Sequence, residues 1–260
     1  MRALAVDPDV IVVISDIWQT TSTAVRAGEE GFLIDSPVLP DELDALPSLM
    51  EQAGFPVSGL LVTHGDWDHL LGRLAFPEAT LGAGEPTAMR LAAEPGAAQR
   101  ALRTFDEEHY VDGRRPLGLA AVQALPVPGK LSIGADGDEL ELHPAAGHTD
   151  DGTIYWLAWR SVLVCGDYLS PVEIPMIGER GSLRAYGETL ERLAALVERA
   201  TTVVPGHGSP VDRETAQRIL EEDVAYVQAL GEDGDAPLPE GRRGSPQRDI
   251  HAANLAAVSG

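Results

Sequence analysis

One stretch of this chain constrains its fold more than any other: Thr63-His64-Gly65-Asp66-Trp67-Asp68-His69, where two imidazoles and two carboxylates directly follow the apolar run 57–63. That run reads as a buried strand, so the chain must present a strand end whose reactive groups are held rigidly yet reached by solvent. His and Asp supply the nitrogen and oxygen donors that a borderline cation such as zinc accepts, and their close spacing lets one loop face two cation positions. Three further stretches put a candidate ligand at or just past a strand end: Gly147-His148-Thr149, Cys165-Gly166-Asp167 and Pro205-Gly206-His207-Gly208. Their glycines allow tight backbone turns beside a site. Of seven histidines, His64, His69, His148 and His207 fall in these stretches, 79 residues separating His69 from His148 and 59 separating His148 from His207.

Around these stretches sheet and helix alternate. Residues 10–15 and 21–27 read as an opening hairpin and 31–34 as a short buried strand. Residues 41–53 place Leu43, Leu46, Met50 and Ala53 on one helical face, with Gly54 as a stop and Pro47 expected to kink or split the helix. After a mixed region, 140–143 alternates like a half-buried strand, and 153–159 turns at Arg160 and Ser161 into 162–165. Leu183, Tyr186, Leu190, Leu193 and Leu196 recur at helical spacing, 202–204 is a short strand, and Asp212 is expected to cap a helix reaching Leu230. Residues 231–247, rich in Gly, Pro and charge, read as a linker before a short helix around 250–258. Two β-then-α halves suggest an α+β chain with weak internal duplication, and a four-layer αββα sandwich would bury both sheets. The expected organisation is one domain over 1–230, with a linker and short helical tail over 231–260.

Taken together the motifs resemble the metallo-β-lactamase superfamily, a hydrolase-rich group with an αββα sandwich and a metal site between its sheets, over roughly residues 10–230. The resemblance implies His64 and His148 at a first metal, Asp68, His69 and His207 at a second, and Asp167 bridging them. Thr63, Gly147, Gly166 and the segment 205–208 match as well. Most members have a histidine where this chain has Asp66, so Asp66 is either a direct metal ligand or a residue that holds a water or His64. The related flavodiiron branch, with a glutamate there, is an imperfect precedent.

As a ligand, Asp66 would give the cluster three carboxylates. With a hydroxide these bring two divalent cations to neutrality, a weaker Lewis acid than a two-carboxylate version. Two divalent metal ions are the implied cofactors, zinc first, with iron or manganese favoured somewhat by the extra oxygen ligand. The implied activity is a metal-dependent hydrolase that uses a metal-bound hydroxide to cleave a small-molecule ester, lactone, thioester or related acyl bond. Asp68 and Asp167 are its candidate catalytic residues, orienting the hydroxide and relaying its proton. The rival reading resembles the persulfide dioxygenase branch, a mononuclear iron oxidoreductase in which the counterparts of His64, His148 and Asp167 bind the metal.

Charge narrows the partners. The 260 residues include 41 acidic and 19 basic side chains, a net charge of -22, and Lys130 is the single lysine. Such a surface repels phosphate backbones and anionic lipid, and Arg242, Arg243 and Arg248 are isolated, so neither nucleic acid nor a membrane is an expected partner. A small, uncharged or apolar substrate is expected, and a homodimer stays open. No apolar run approaches the ~20 residues of a membrane helix. The apolar part of the N-terminus is too short for a secretory signal, and one cysteine cannot pair within the chain, so a cytoplasmic protein is expected. Trp18, in the opening hairpin turn, reads equally as a substrate flap or a surface aromatic. Trp67 reads as packing and Cys165 as structural, and 168–177 as closing the core. His109 and His143 read as solvated or core histidines, and His251 belongs to the tail.

Overall fold

The apolar alternation of the first half builds one sheet. In the computed structural model, which describes residues 1–134, 137–232 and 236–259, strands β1 (Arg2–Asp7), β2 (Val10–Ile14), β3 (Thr21–Ala27) and β4 (Glu30–Ile34) run antiparallel. Strands β5 (Gly59–Val62), β6 (Thr80–Gly84) and β7 (Gln123–Leu125) extend the sheet in parallel, giving the order β1-β2-β3-β4-β5-β6-β7. Parallel pairing needs crossovers, and helices α1 (Pro40–Ala53), α2 (Gly72–Ala75), α3 (Glu85–Ala93) and α4 (Ala97–Glu108) lie in them. A second sheet holds β8 (Gly129–Ile133), β9 (Asp138–Pro144), β10 (Thr153–Leu157), β11 (Val162–Val164), β12 (Thr202–Val204) and β13 (Val211–Asp212), in the order β13-β12-β11-β10-β9-β8. Helices α5 (Leu183–Val197), α6 (Arg213–Glu232) and α7 (Ser245–Ser259) complete the chain.

Strand geometry sends alternate side chains to opposite faces, and this sorts the core into three apolar layers. Val10, Val12 and Ile14 of β2 and Leu61 of β5 meet Leu140, Tyr155 and Val164 between the sheets. Val13, Leu60 and Val62 instead meet Leu43, Leu46, Met50 and Phe105 of the first helical layer. Trp156, Leu163 and Val203 meet Leu190, Ile219 and Tyr226 of the second. The result is the αββα sandwich, each fully buried aliphatic side chain contributing about 1.5–3 kcal/mol.

Two local expectations change. Pro47 does not split α1, which runs unbroken from Pro40 to Ala53. Its lost backbone bond is outweighed by the burial of Leu43, Leu46 and Met50 and by Glu42, whose carboxylate accepts from Ser15 Oγ at 2.6 Å, Asp16 N at 2.8 Å and Leu39 N at 3.1 Å. The tail helix begins at Ser245 rather than near 250. Of the linker expected over 231–247, residues 233–235 lie outside the described ones. No described helix is long and apolar enough to cross a membrane.

What matters for the site is that the ends of β5, β11 and β12 are stitched together along one rim. Thr153 N, at the start of β10, donates to Thr63 O at 2.7 Å, joining the two sheets. Gly206 N donates to Gly166 O at 2.6 Å and Thr21 N to Gly206 O at 2.8 Å.

Candidate metal centre

All seven residues singled out from sequence converge at that rim. Asp167 completes one trio of potential ligands with His64 and His148 and faces a second, Asp68 with His69 and His207. Its Oδ2 is 3.7 Å from His64 Nε2, 3.2 Å from His148 Nε2 and 3.4 Å from His207 Nε2, while Oδ1 is 3.3 Å from His69 Nε2. Asp68 Oδ2 lies 3.5 Å from both His69 and His207 Nε2. Asp66 Oδ2 approaches the other pair, 3.6 Å from His64 and 3.5 Å from His148.

Behind each imidazole stands an acceptor. His148 Nδ1 donates to Met176 O at 2.9 Å, His207 Nδ1 to Trp18 O at 3.1 Å, and His69 Nδ1 to Asp35 Oδ2 at 3.1 Å. Thr63 Oγ1 donates to Asp35, so towards His64 Nδ1, 3.0 Å away, it accepts. In its neutral form each ring thereby carries its proton on Nδ1 and turns the Nε2 lone pair inward. His64, His69 and His148 Nε2 and Asp167 Oδ1 are buried without a hydrogen-bond partner. An unpaired buried polar atom costs about 1–3 kcal/mol, so four together call for another partner. Neighbouring donors 3.2–3.7 Å apart also match the edge, roughly 3.3 Å, of a tetrahedron with metal–ligand bonds of about 2 Å. The donor set fits cations of the zinc class.

Charge tells the same story. Burial alone would lower the imidazole pKa values, but the carboxylates prevail: Asp167 and Asp66 push His148 up to about 9, and Asp167 and Glu173 push His207 up to about 10. His69 is also held well above its ordinary value by Asp68, Asp167 and Asp35, again against burial. Reciprocally, although burial opposes it, the facing imidazoles hold Asp66 and Asp167 well below the usual carboxylate range.

Several residues missed from sequence complete the centre. Asp35, at the end of β4, accepts from Thr63 N and Thr63 Oγ1, both at 2.8 Å, besides His69. Arg90 on α3 donates to Asp66 Oδ1 at 2.7 Å and to buried Asp151 Oδ1 at 2.8 Å. Trp18 is a surface aromatic, 44% exposed. It packs on Trp67 and Phe105 at centroid distances of 5.6 and 5.1 Å, and its carbonyl anchors His207. Its φ of +52° is unusual for a bulky residue. His109 joins the same aromatic group, His143 contacts Glu141 at 3.2 Å, His251 contacts Tyr226 at 2.9 Å, and none of them belongs to the two ligand trios. Cys165 is fully buried, and burial pushes its thiol far above the reactive range.

An αββα sandwich with a buried His and carboxylate cluster on the rim between its sheets defines a class of metal-binding proteins. The family model described as the metallo-beta-lactamase superfamily matches residues 15–207, and the chain belongs to that superfamily. The metallo-beta-lactamase type 2 of Bacteroides fragilis is 31% identical over 121 residues, 44% of this chain and 49% of that protein; the chain thus spans about half the length of the curated relative it matches. Among solved structures, a metallo-beta-lactamase family protein from Thermus thermophilus gives a TM-score of 0.70 at 22% identity, with 97% of this chain and 92% of that one covered. A stereoselective inverting sec-alkylsulfatase from Pseudomonas sp. gives 0.72 at 15% identity, with 98% and 49% covered. At such identities the likeness to these two structures is one of fold.

Proposed function

We propose that this chain is a hydrolase working with two divalent cations, zinc first and manganese or iron as alternatives, that cleaves an ester, lactone, thioester or related acyl bond of a small molecule. The observation that carries this reading is the inward convergence of four imidazole Nε2 lone pairs, each ring held by an acceptor behind it. Bound there, the cations would supply Lewis acidity, activating a water and polarising the scissile carbonyl. His64, His148, Asp66 and Asp167 would hold the first, and Asp68, His69, His207 and Asp167 the second. Asp68 and Asp167, beside the imidazoles of the second site, would orient the attacking water and accept its proton.

Two side chains support an uncharged or apolar substrate. Trp18 and Met176, exposed to 44% and 39%, belong to the loops whose carbonyls hold His207 and His148. The nearby Arg90 pairs with Asp66 and Asp151, and Arg180 with Asp150 and Glu94, leaving neither guanidinium unpaired for an anionic group. A cytoplasmic location belongs to the same reading, supported by the lone cysteine.

A mononuclear iron centre would need His64, His148 and Asp167 and give no task to the second trio, whose three members are all buried. Elemental analysis of protein purified without added metal, beside oxygen-independent turnover of an ester, lactone and thioester panel, separates the two. We expect about two zinc or manganese ions per chain and hydrolysis abolished by His148→Ala. One iron per chain with oxygen consumption overturns the proposal.

A further inference from the structure

We infer that Arg90 is a positioning residue for the metal centre: it fixes Asp66 as a one-oxygen ligand arm at the first site and offsets the negative charge that Asp66 brings there. The inference rests on the two-cation reading above.

Asp66 stands where a neutral imidazole would give a longer reach, and its side chain is 33% exposed, so burial alone does not keep it turned inward. Arg90 does so from another element. Its side chain is only 15% exposed, and its guanidinium fork spans two carboxylates, Nη2 donating to Asp66 Oδ1 at 2.7 Å and Nη1 to Asp151 Oδ1 at 2.8 Å. With Oδ1 taken, Asp66 Oδ2 is left facing His64 and His148 Nε2 at 3.6 and 3.5 Å. Asp151, almost wholly buried, is held in turn by Gly65 N, which donates to its Oδ2 at 2.8 Å. The backbone between His64 and Asp66 is therefore tied to the same group that grips Asp66.

Gly65 bears this out independently. A Cβ there would sit 2.9 Å from Asp151 Oδ2 and 3.1 Å from Arg90 Cδ, so the absent side chain makes room for the pair. Electrostatics completes the argument. Replacing imidazole by carboxylate adds a negative charge beside the first cation and weakens its Lewis acidity, and a guanidinium in direct contact with the far oxygen draws that charge away from the site. Lysine could not do both tasks, because an ammonium lacks the fork that reaches two acids at once.

The test is a double-mutant cycle read by cobalt(II) or zinc titration of the chelated full-length protein, with the cobalt ligand-field spectrum as a second readout. Arg90→Met should lower first-site affinity roughly 10–100-fold, the loss of the fixed ligand arm outweighing the Coulomb gain from removing a nearby cation, while the second site still fills. Asp66→Asn should do the same with the Arg90–Asp151 pair intact, and adding Arg90→Met to Asp66→Asn should change first-site affinity no further. Arg90→Lys is the variant to use should Arg90→Met fail to fold, and an intermediate affinity is expected from it. Unchanged filling of both sites in Arg90→Met or Arg90→Lys overturns the inference, as does an equal further loss from either substitution in the Asp66→Asn background. A wild-type protein that takes up no metal would instead defeat the two-cation reading itself.

Discussion

Asp35 anchors His69 of the second trio. It receives Thr63 N, Thr63 Oγ1 and His69 Nδ1, so one carboxylate fixes a strand end, the tautomer of His69 and, through Thr63, that of His64. Asp35→Asn would present an amide N–H to Nδ1 and favour the tautomer whose proton sits on Nε2, where a lone pair is needed. We expect roughly 10–100-fold weaker binding at the His69 site in a zinc titration, with circular dichroism unchanged; unaltered affinity would show that the ring is oriented by something else. The seven candidate ligands were legible in the sequence because each lies in a glycine-flanked motif at a strand end. Asp35 carried part of the same signal, an acid directly following the apolar run Phe32-Leu33-Ile34, and was passed over because no glycine or histidine adjoins it. Arg90 carried none, since its meaning comes from where α3 lies against the loop of Asp66.

Among the elements, α7 contributes most beyond its own packing. Asn254, fully buried, accepts from Ile177 N at 2.8 Å and donates to Pro175 O at 2.7 Å, clasping Met176, whose carbonyl holds His148. Arg242 donates to Glu173 O at 2.8 Å and Gln247 to Val172 O at 2.6 Å, so the chain after α6 straps the segment that follows Asp167. Asn254→Ala would leave a buried donor and acceptor unpaired, a loss of about 2–4 kcal/mol in denaturant unfolding. Hydrogen exchange at Ile177 should quicken and zinc binding weaken; a variant with unchanged exchange at that amide would refute the clasp. The tail's docking was illegible because polar contacts to carbonyls leave no periodic trace. β1 escaped for the converse reason: it is an edge strand with most side chains exposed, so burial never patterned it. The strands of the inter-sheet core were readable because alternate faces of one strand meet apolar layers on both sides.

For the molecule as a whole, the surface and the centre respond to pH in ways that salt can separate. With metal removed by chelation, His148 and His207 bind protons up to about pH 9 and 10, and His69 is raised as well. The unfolded chain releases those protons near pH 6.5, so between these limits the native state holds more protons and stability must fall as pH rises. Their contribution is fully present below about pH 6.5 and lost through 9 to 10. The depressed carboxyls of Asp66 and Asp167 act oppositely, stabilising above about pH 4 and failing as acid protonates them. Bound cations reverse the alkaline limb, because ligation needs the imidazoles unprotonated and binding therefore releases protons. The gap in Tm between metal-loaded and chelated protein should then widen steadily from pH 6.5 to 10. Self-repulsion from a net charge of -22 could also erode stability as pH rises, but exposed charges are screened within about 3 Å at 1 M salt, whereas the buried cluster is screened far less. Thermal melts of the chelated protein in 1 M sodium chloride should keep the decline, and a Tm that is flat from pH 6.5 to 10 under those conditions would show that the imidazoles and carboxylates of the rim are not coupled as their spacing requires.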